Sequence, residues 1–122
     1  MSKTILVVDD EAVVRSLLQR YLRGKGAQVL TAGTGEEALA TVSKEKLDLI
    51  LLDIRMPGMS GVEVLKKLKE DGSTVPVIMI SGVEDFDTIS ETIASGAKDF
   101  IKKPFDLEYL DASPPWQAWL TL

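Results

Sequence analysis

Four short apolar runs mark the chain, and each ends on a charged or hydroxyl residue. Ile5-Leu6-Val7-Val8 leads into Asp9-Asp10, Leu49-Ile50-Leu51-Leu52 into Asp53, Val77-Ile78-Met79-Ile80 into Ser81, and Phe100-Ile101 into Lys102-Lys103. Between them apolar residues recur at helical spacing. Val14, Leu17, Leu18, Tyr21 and Leu22 step by three and four, an amphipathic helix that stops near Gly24-Lys25-Gly26. Gln28 to Ala32 reads as a short strand. Thr34 followed by Glu37 has the spacing of a capping box and opens a helix through about Val42. Asp48 to Asp53 is a strand without polar alternation, as expected when helices cover both faces.

The second half continues the pattern. Met56-Pro57-Gly58 is a turn, in which Pro fixes φ and Gly tolerates a positive one. Ser60 with Glu63 repeats the capping-box spacing, and Val62, Leu65 and Leu68 supply that helix with its buried stripe. Val75 to Ser81 is the next strand. Glu84 to Ser95 reads as a helix with Phe86, Ile89 and Ile93 inward, closed by Gly96. Asp99 to Lys102 is a short strand flanked by charges, suited to a sheet edge. Asp106 can cap a helix from Leu107, which Pro114-Pro115 prevents from continuing; Ser113 could cap a second short helix carrying Trp116, Trp119 and Leu120.

Strand and helix thus alternate five times, which implies an α/β fold with right-handed crossovers and a three-layer sandwich. We expect residues 1–112 to form one domain and 113–122 an atypical Pro/Trp-containing tail. In a parallel sheet all strand C-termini open at one edge, where ligands bind. Asp9, Asp10, Asp53, Ser81 and Lys103 would converge there.

Composition narrows the chemistry. The 122 residues carry a net charge of −5, and Lys and Arg form no basic stripe, so no direct nucleic-acid binding is expected of this domain. There is no cysteine and no histidine, which removes thiol catalysis, catalytic triads and Cys or His metal sites. Any metal must be held by oxygen, which favours Mg²⁺, or Mn²⁺, over zinc. Neither a secretory leader nor a membrane span is legible, so no membrane association is expected and the cytoplasm is the default.

Each candidate has a bland alternative. Asp9-Asp10 alone would be a solvated acidic turn; Asp53 at the end of the most apolar strand changes that reading. Carboxylates brought within several Å raise one another's pKa, and a divalent cation relieves the repulsion. Strand alternation points Lys102 and Lys103 to different faces, so only one can address the carboxylates, and Lys103, before Pro104, is the choice. Its ammonium can bind a phosphoryl oxygen as a point charge. Ser81-Gly82 is also an ordinary turn dipeptide, yet a hydroxyl beside Asp53 could donate to that same group.

Val7-Val8-Asp9-Asp10-Glu11, Asp53-Ile54-Arg55-Met56-Pro57-Gly58-Met59-Ser60-Gly61, Ser81-Gly82 and Lys103-Pro104-Phe105 together resemble the receiver domain of response regulators in two-component signalling, over residues 1 to about 110. The resemblance implies a flavodoxin-like (CheY-like) (βα)₅ sandwich with strand order 2-1-3-4-5, here with a shortened or broken last helix. It implies phosphorelay signalling, with Asp53 the phosphoacceptor and a sensor histidine kinase, phosphotransfer protein or small phosphodonor as the source. Asp10, Asp53 and the backbone carbonyl of Arg55 would ligate Mg²⁺, with Asp9 acting through a water. Lys103 and Ser81 would bind the phosphoryl group, Ser81 and Phe100 would switch, and the Lys103-Pro104 bond would be cis. Arg55 and Val83 would border the water path that sets phosphoryl lifetime. The domain would be no enzyme beyond its own phosphorylation and dephosphorylation, and its downstream effector or output domain stays open.

Rival readings are fewer. A haloacid-dehalogenase-like phosphatase also uses an Asp nucleophile, Mg²⁺ and Lys, but resembles Asp-x-Asp after its first strand, where this chain has Asp9-Asp10-Glu11. A flavin mononucleotide carrier would find its phosphate repelled by those same acids. A binding-only pseudo-receiver has no support at the five site positions, and only the disrupted terminus leaves it open. The family's full last helix, which often contributes to dimerisation, is replaced here by Asp111 to Leu120. Either that tail is foreign or truncated, or its two tryptophans cover the groove left by the missing turns; dimerisation through that surface is open.

Overall fold

The computed structural model describes residues 2–82 and 86–112, without the side chains of Ser81 and Phe86. Ten elements alternate: β1 (Thr4–Val8), α1 (Ala12–Gly24), β2 (Gln28–Ala32), α2 (Gly35–Lys44), β3 (Leu49–Asp53), α3 (Gly61–Glu70), β4 (Val77–Ser81), α4 (Phe86–Ala94), β5 (Asp99–Lys102) and α5 (Leu107–Asp111). The strands form one parallel sheet in the order 2-1-3-4-5. This is the expected flavodoxin-like arrangement, with β2 and β5 at the edges.

The unbroken apolar strands are explained by two cores, one on each face. On β1 and β3, Leu6, Val8, Ile50 and Leu52 join Val64, Leu65 and Leu68 of α3. Their odd-numbered neighbours Ile5, Val7, Leu49 and Leu51 join Leu18, Tyr21 and Leu22 of α1 and Leu110 of α5. Side chains alternate across a strand, so both parities must be apolar when both faces are covered.

Local signals set the element ends. The Thr34 and Ser60 hydroxyls accept from the N–H groups of Glu37 and Glu63, so both helices are capped as their spacing suggests. The reciprocal bond from Glu37 goes back to the Gly33 N–H at 3.4 Å rather than to the cap residue itself. β4 begins at Val77, two residues later than expected, because Pro76 has no N–H to offer a ladder; its carbonyl still accepts from Ile50 at 3.0 Å.

Two helix stripes are rotated from the sequence reading. In α3 the buried positions are Gly61, Val64, Leu65 and Leu68, with Val62 half-buried. Among the described side chains of α4 the buried position is Thr92, whose hydroxyl donates to the Ile89 carbonyl at 2.7 Å; Ile89 is half-buried, and Ile93, expected inward, is 54% exposed. A Thr that satisfies its hydroxyl within the helix packs as a small apolar residue, which composition alone conceals. The start of α4 expected at Glu84, and the whole segment from Ser113 with Trp116 and Trp119, lie outside the described residues.

The short α5 is nonetheless anchored. Asp106 caps it by accepting from the Tyr109 N–H at 2.8 Å. Leu110 is fully buried, and Asp111 receives the Tyr21 hydroxyl at 2.6 Å and the Lys25 ammonium at 3.1 Å. Five residues therefore dock on α1 through one apolar plug and one charged clamp.

Gly61 fixes how α3 meets the sheet. Its N–H donates to the Ile54 carbonyl at 2.8 Å, and a Cβ there would drive into the Asp53 carbonyl oxygen. Gly61→Ala is expected to cost at least about 2 kcal/mol in urea unfolding, since a backbone atom cannot step aside; an unchanged midpoint would contradict the close approach. Leu110→Ala, with no exposed surface to lose, is expected to cost about 2–4 kcal/mol in the same assay. A cost below about 0.5 kcal/mol, the range of surface substitutions, would mean that α5 is not part of the core.

Candidate functional site

β1 and β3 lie side by side at the centre of the sheet and end at the same edge, delivering Asp9, Asp10 and Asp53 to one place. Their carboxylate oxygens lie within 4.8 Å of one another. Asp9 and Asp53 are buried, at 0% and 3% exposure, whereas Asp10 is exposed. Backbone bonds aim the first turn: the Asp9 N–H donates to the Ala32 carbonyl at 3.1 Å, and the Glu11 N–H donates to Asp9 Oδ1 at 2.9 Å. Arg15 reaches back from α1 and donates from Nη1 to the Asp9 carbonyl at 2.8 Å. Gly33 leaves room for that guanidinium, since a Cβ there would stand 3.2 Å from Nη1.

The chain after β3 is pinned at both ends. Ile54 donates to the Ile80 carbonyl at 3.0 Å, and the Ile54 carbonyl accepts from Gly61. Between them Arg55 is exposed and Gly58 turns the backbone with a φ of +76°, a conformation that favours glycine.

Lys103 arrives from the far edge, just beyond β5, and its bond to Pro104 is cis. The ammonium lies 2.8 Å from Asp9 Oδ2, 3.2 Å from Glu11 Oε1 and 3.4 Å from Asp53 Oδ2. Only the Glu11 contact is aligned as a hydrogen bond among the described residues. Asp9 Oδ2 is an ion-pair neighbour and remains buried without a hydrogen-bond donor.

This electrostatic arrangement is unbalanced. Burial, above all, raises the Asp53 carboxyl to about 7; the Asp9 carboxylate adds to the shift, Lys103 opposes it, and Asp10 contributes least. Mutual repulsion, which the sequence points to, is therefore second to desolvation. Burial works to lower the Lys103 pKa, but the carboxylates of Asp9, Asp53 and Glu11 outweigh it and hold the ammonium above its ordinary value.

The other expected site residues are placed as follows. Ser81 closes β4 opposite Lys102 of β5, and its hydroxyl lies outside the described atoms, as does Val83. Phe100 stands opposite Met79 and is 41% exposed. Two participants were not legible. Glu11 was visible only as a third acid in a run, and nothing in the sequence marks Arg15 as the brace of the Asp9 turn. Beside Lys103 a groove of about 420 Å³ opens between Val13, Val14, Leu17, Pro104 and Phe105.

Comparison with known proteins gives one answer. Residues 5–113 match the response regulator receiver domain family. The chain is 39% identical to the sporulation initiation phosphotransferase F of Bacillus subtilis, over 88% of this chain and 87% of that protein. It is 42% identical to the alkaline phosphatase synthesis transcriptional regulatory protein PhoP of the same organism, over 92% of this chain but only 47% of that protein. In structure it is similar to the chemotaxis response regulator CheY4 of Vibrio cholerae, with a TM-score of 0.88 and 31% identity over 98% of this chain and all of that one. The acidic cluster at the sheet edge is thus set in a chain that belongs to the receiver-domain family of two-component response regulators, the phosphorelay signalling modules.

Proposed function

We propose that Asp53 is the phosphoacceptor of this receiver, loaded by a sensor histidine kinase, a phosphotransfer protein or a small phosphodonor. The observation that carries the reading is the convergence of Asp9, Asp10 and the buried Asp53 at one sheet edge, with the Lys103 ammonium 3.4 Å from Asp53 Oδ2. Asp53 Oδ attacks phosphorus as the bond from phosphorus to the donor's leaving atom breaks, and the leaving group departs with that bond's electron pair. Lys103, already 3.4 Å from Asp53 Oδ2, meets the new phosphoryl oxygens as a point charge. Hydrolysis of the acyl phosphate by water later resets the site.

The donor set fits a hard divalent cation. Oxygen is the only ligand chemistry in the acidic cluster, and the buried Asp9 Oδ2 has the Lys103 ammonium as an ion-pair neighbour but no aligned hydrogen bond. Asp10, Asp53 and the Arg55 carbonyl would hold Mg²⁺ directly and Asp9 through water; the ion supplies positive charge to a dianionic group among carboxylates. The apolar groove next to Lys103 suits a protein donor that covers Val14 and Leu17 while it presents its phosphoryl group.

For output, the Ser81 hydroxyl would move to the phosphoryl group and Phe100 would turn inward into the space released. A half-exposed aromatic on an edge strand is a side chain with somewhere to go. Couplings of this kind amount to about 1–3 kcal/mol. No described helix is long and apolar enough to cross a membrane. The chain spans under half of the transcriptional regulator PhoP, so whether an output domain accompanies it belongs to this proposal.

Incubation with acetyl phosphate and Mg²⁺ is expected to add one phosphoryl group, about 80 Da by intact mass. Asp53→Asn is expected to add none; equal labelling in that variant would assign a different acceptor.

The raised Asp53 pKa also carries a stability consequence in metal-free buffer. Below the ordinary value of 3.8 both folded and unfolded chains hold the proton, and the group is neutral to stability. Between there and about 7 the unfolded chain ionises first, so stability falls as pH rises, and above about 7 the penalty is complete. At about pH 8 Asp53→Asn should therefore melt about 5 °C or more above the parent, with the gap closing toward pH 4. A gap that does not change with pH would contradict the buried-charge account.

A further inference from the structure

The Lys103 ammonium has three N–H donors, and three carboxylates already surround it. A phosphoryl group on Asp53 brings further acceptors to the same atom, and they compete with the one aligned hydrogen bond it makes among the described residues, to Glu11. The three partners are not equivalent. Asp9 sits at a strand end with its side chain 0% exposed, and separating it from its cation would strand a buried charge. The Asp53 charge passes to the phosphoryl group itself, so that contact follows the new oxygens. Glu11 is 61% exposed, so water can replace Lys103 at its carboxylate with little loss.

Glu11 also stands where its side chain is free for this work. It occupies the N-cap of α1 but makes no capping bond through its carboxylate. Its N–H is tied to Asp9 Oδ1 and its carbonyl accepts from Arg15 at 3.1 Å, so the backbone is fixed while the side chain reaches across to the loop after β5. That reach yields the one aligned hydrogen bond from Lys103 among the described residues.

We propose that Glu11 is a positioning residue that competes with the phosphoryl group for the Lys103 ammonium. In the unphosphorylated chain it holds Lys103 at the mouth of the site, and phosphorylation exchanges the Lys103–Glu11 hydrogen bond for one to a phosphoryl oxygen. Glu11 therefore tunes how readily the loaded state forms while touching neither metal nor phosphorus. The inference deepens the phosphoacceptor reading of Asp53 and rests on it.

The test uses beryllofluoride as a phosphoryl mimic at saturating Mg²⁺, with its dissociation constant measured by isothermal titration for the full chain. Glu11→Gln removes the charge. Glu11→Asp keeps the charge but withdraws it by one methylene from the 3.2 Å contact. Both variants are expected to bind beryllofluoride about two- to fivefold more tightly than the parent, the range of one partly exposed ion pair. If Glu11→Asp binds as the parent does while Glu11→Gln binds more tightly, Glu11 acts only as a charge at the mouth and the proposal falls. Unchanged or weaker binding in both variants overturns it as well. A parent that binds no beryllofluoride would instead sink the phosphoacceptor reading itself, and this inference with it.

Discussion

Two carboxylates buried at the ends of the central strands cannot stay there as anions without a cation, and the Lys103 ammonium between Asp9 and Asp53 is the cation the fold supplies. The supply is incomplete. Lys103 opposes the upward shift of Asp53 yet does not cancel it, and Asp9 Oδ2 keeps a neighbour but no hydrogen bond. An ammonium is one charge set against two buried anions and the exposed Asp10. The remaining negative charge is what favours a divalent ion, whose charge would in turn offset an incoming phosphoryl group.

The topology serves this one contact. Asp9 and Asp53 come from adjacent strands, but Lys103 comes from the edge, and β4 lies between β3 and β5. Only when every crossover has placed its strand in the same sense do all of these ends open on one side. The supporting bonds are of the same kind: Arg15 braces the Asp9 carbonyl, and Gly61 lets α3 approach so closely that its first residue bonds the chain just past Asp53. These residues hold the site by fixing backbone, which is why none of them looks reactive.

That distinction governs what could be read from the sequence. Strand ends were legible because a doubly covered strand must be apolar throughout, so its first acid or lysine marks the edge of the core. Caps were legible at Thr34 and Ser60 because they depend on residues three apart. Helix orientation was less so. In α4 the buried Thr92 and exposed Ile93 invert the order that hydropathy suggests, since a hydroxyl satisfied within its own helix hides its polarity. Contacts between distant segments, such as Lys103 with Glu11 or Tyr21 with Asp111, leave no local pattern at all. Strand ends placed Asp9, Asp10, Asp53 and Lys103 at one edge and family resemblance gave them roles, whereas the Glu11 partner of Lys103 emerges only from the folded chain.

The distribution of burial also bears on where a signal could leave the site. Around the acids the strand ends are closed and braced, so the groups able to move at low cost are those on the β5 side. Lys103 follows β5 directly, with Phe100 three residues before it, 41% exposed, and Ile93 of α4 exposed nearby in the chain order. β5 is an edge strand with a single ladder partner, and its Lys102 N–H is held at 3.3 Å by the Tyr109 hydroxyl of α5 rather than by a sixth strand. In the proposed function, drawing Lys103 onto a phosphoryl oxygen therefore pulls on an edge strand of the sheet. The rigid centre fixes where phosphate is received, and the lightly held edge is the part of the fold that can change in response.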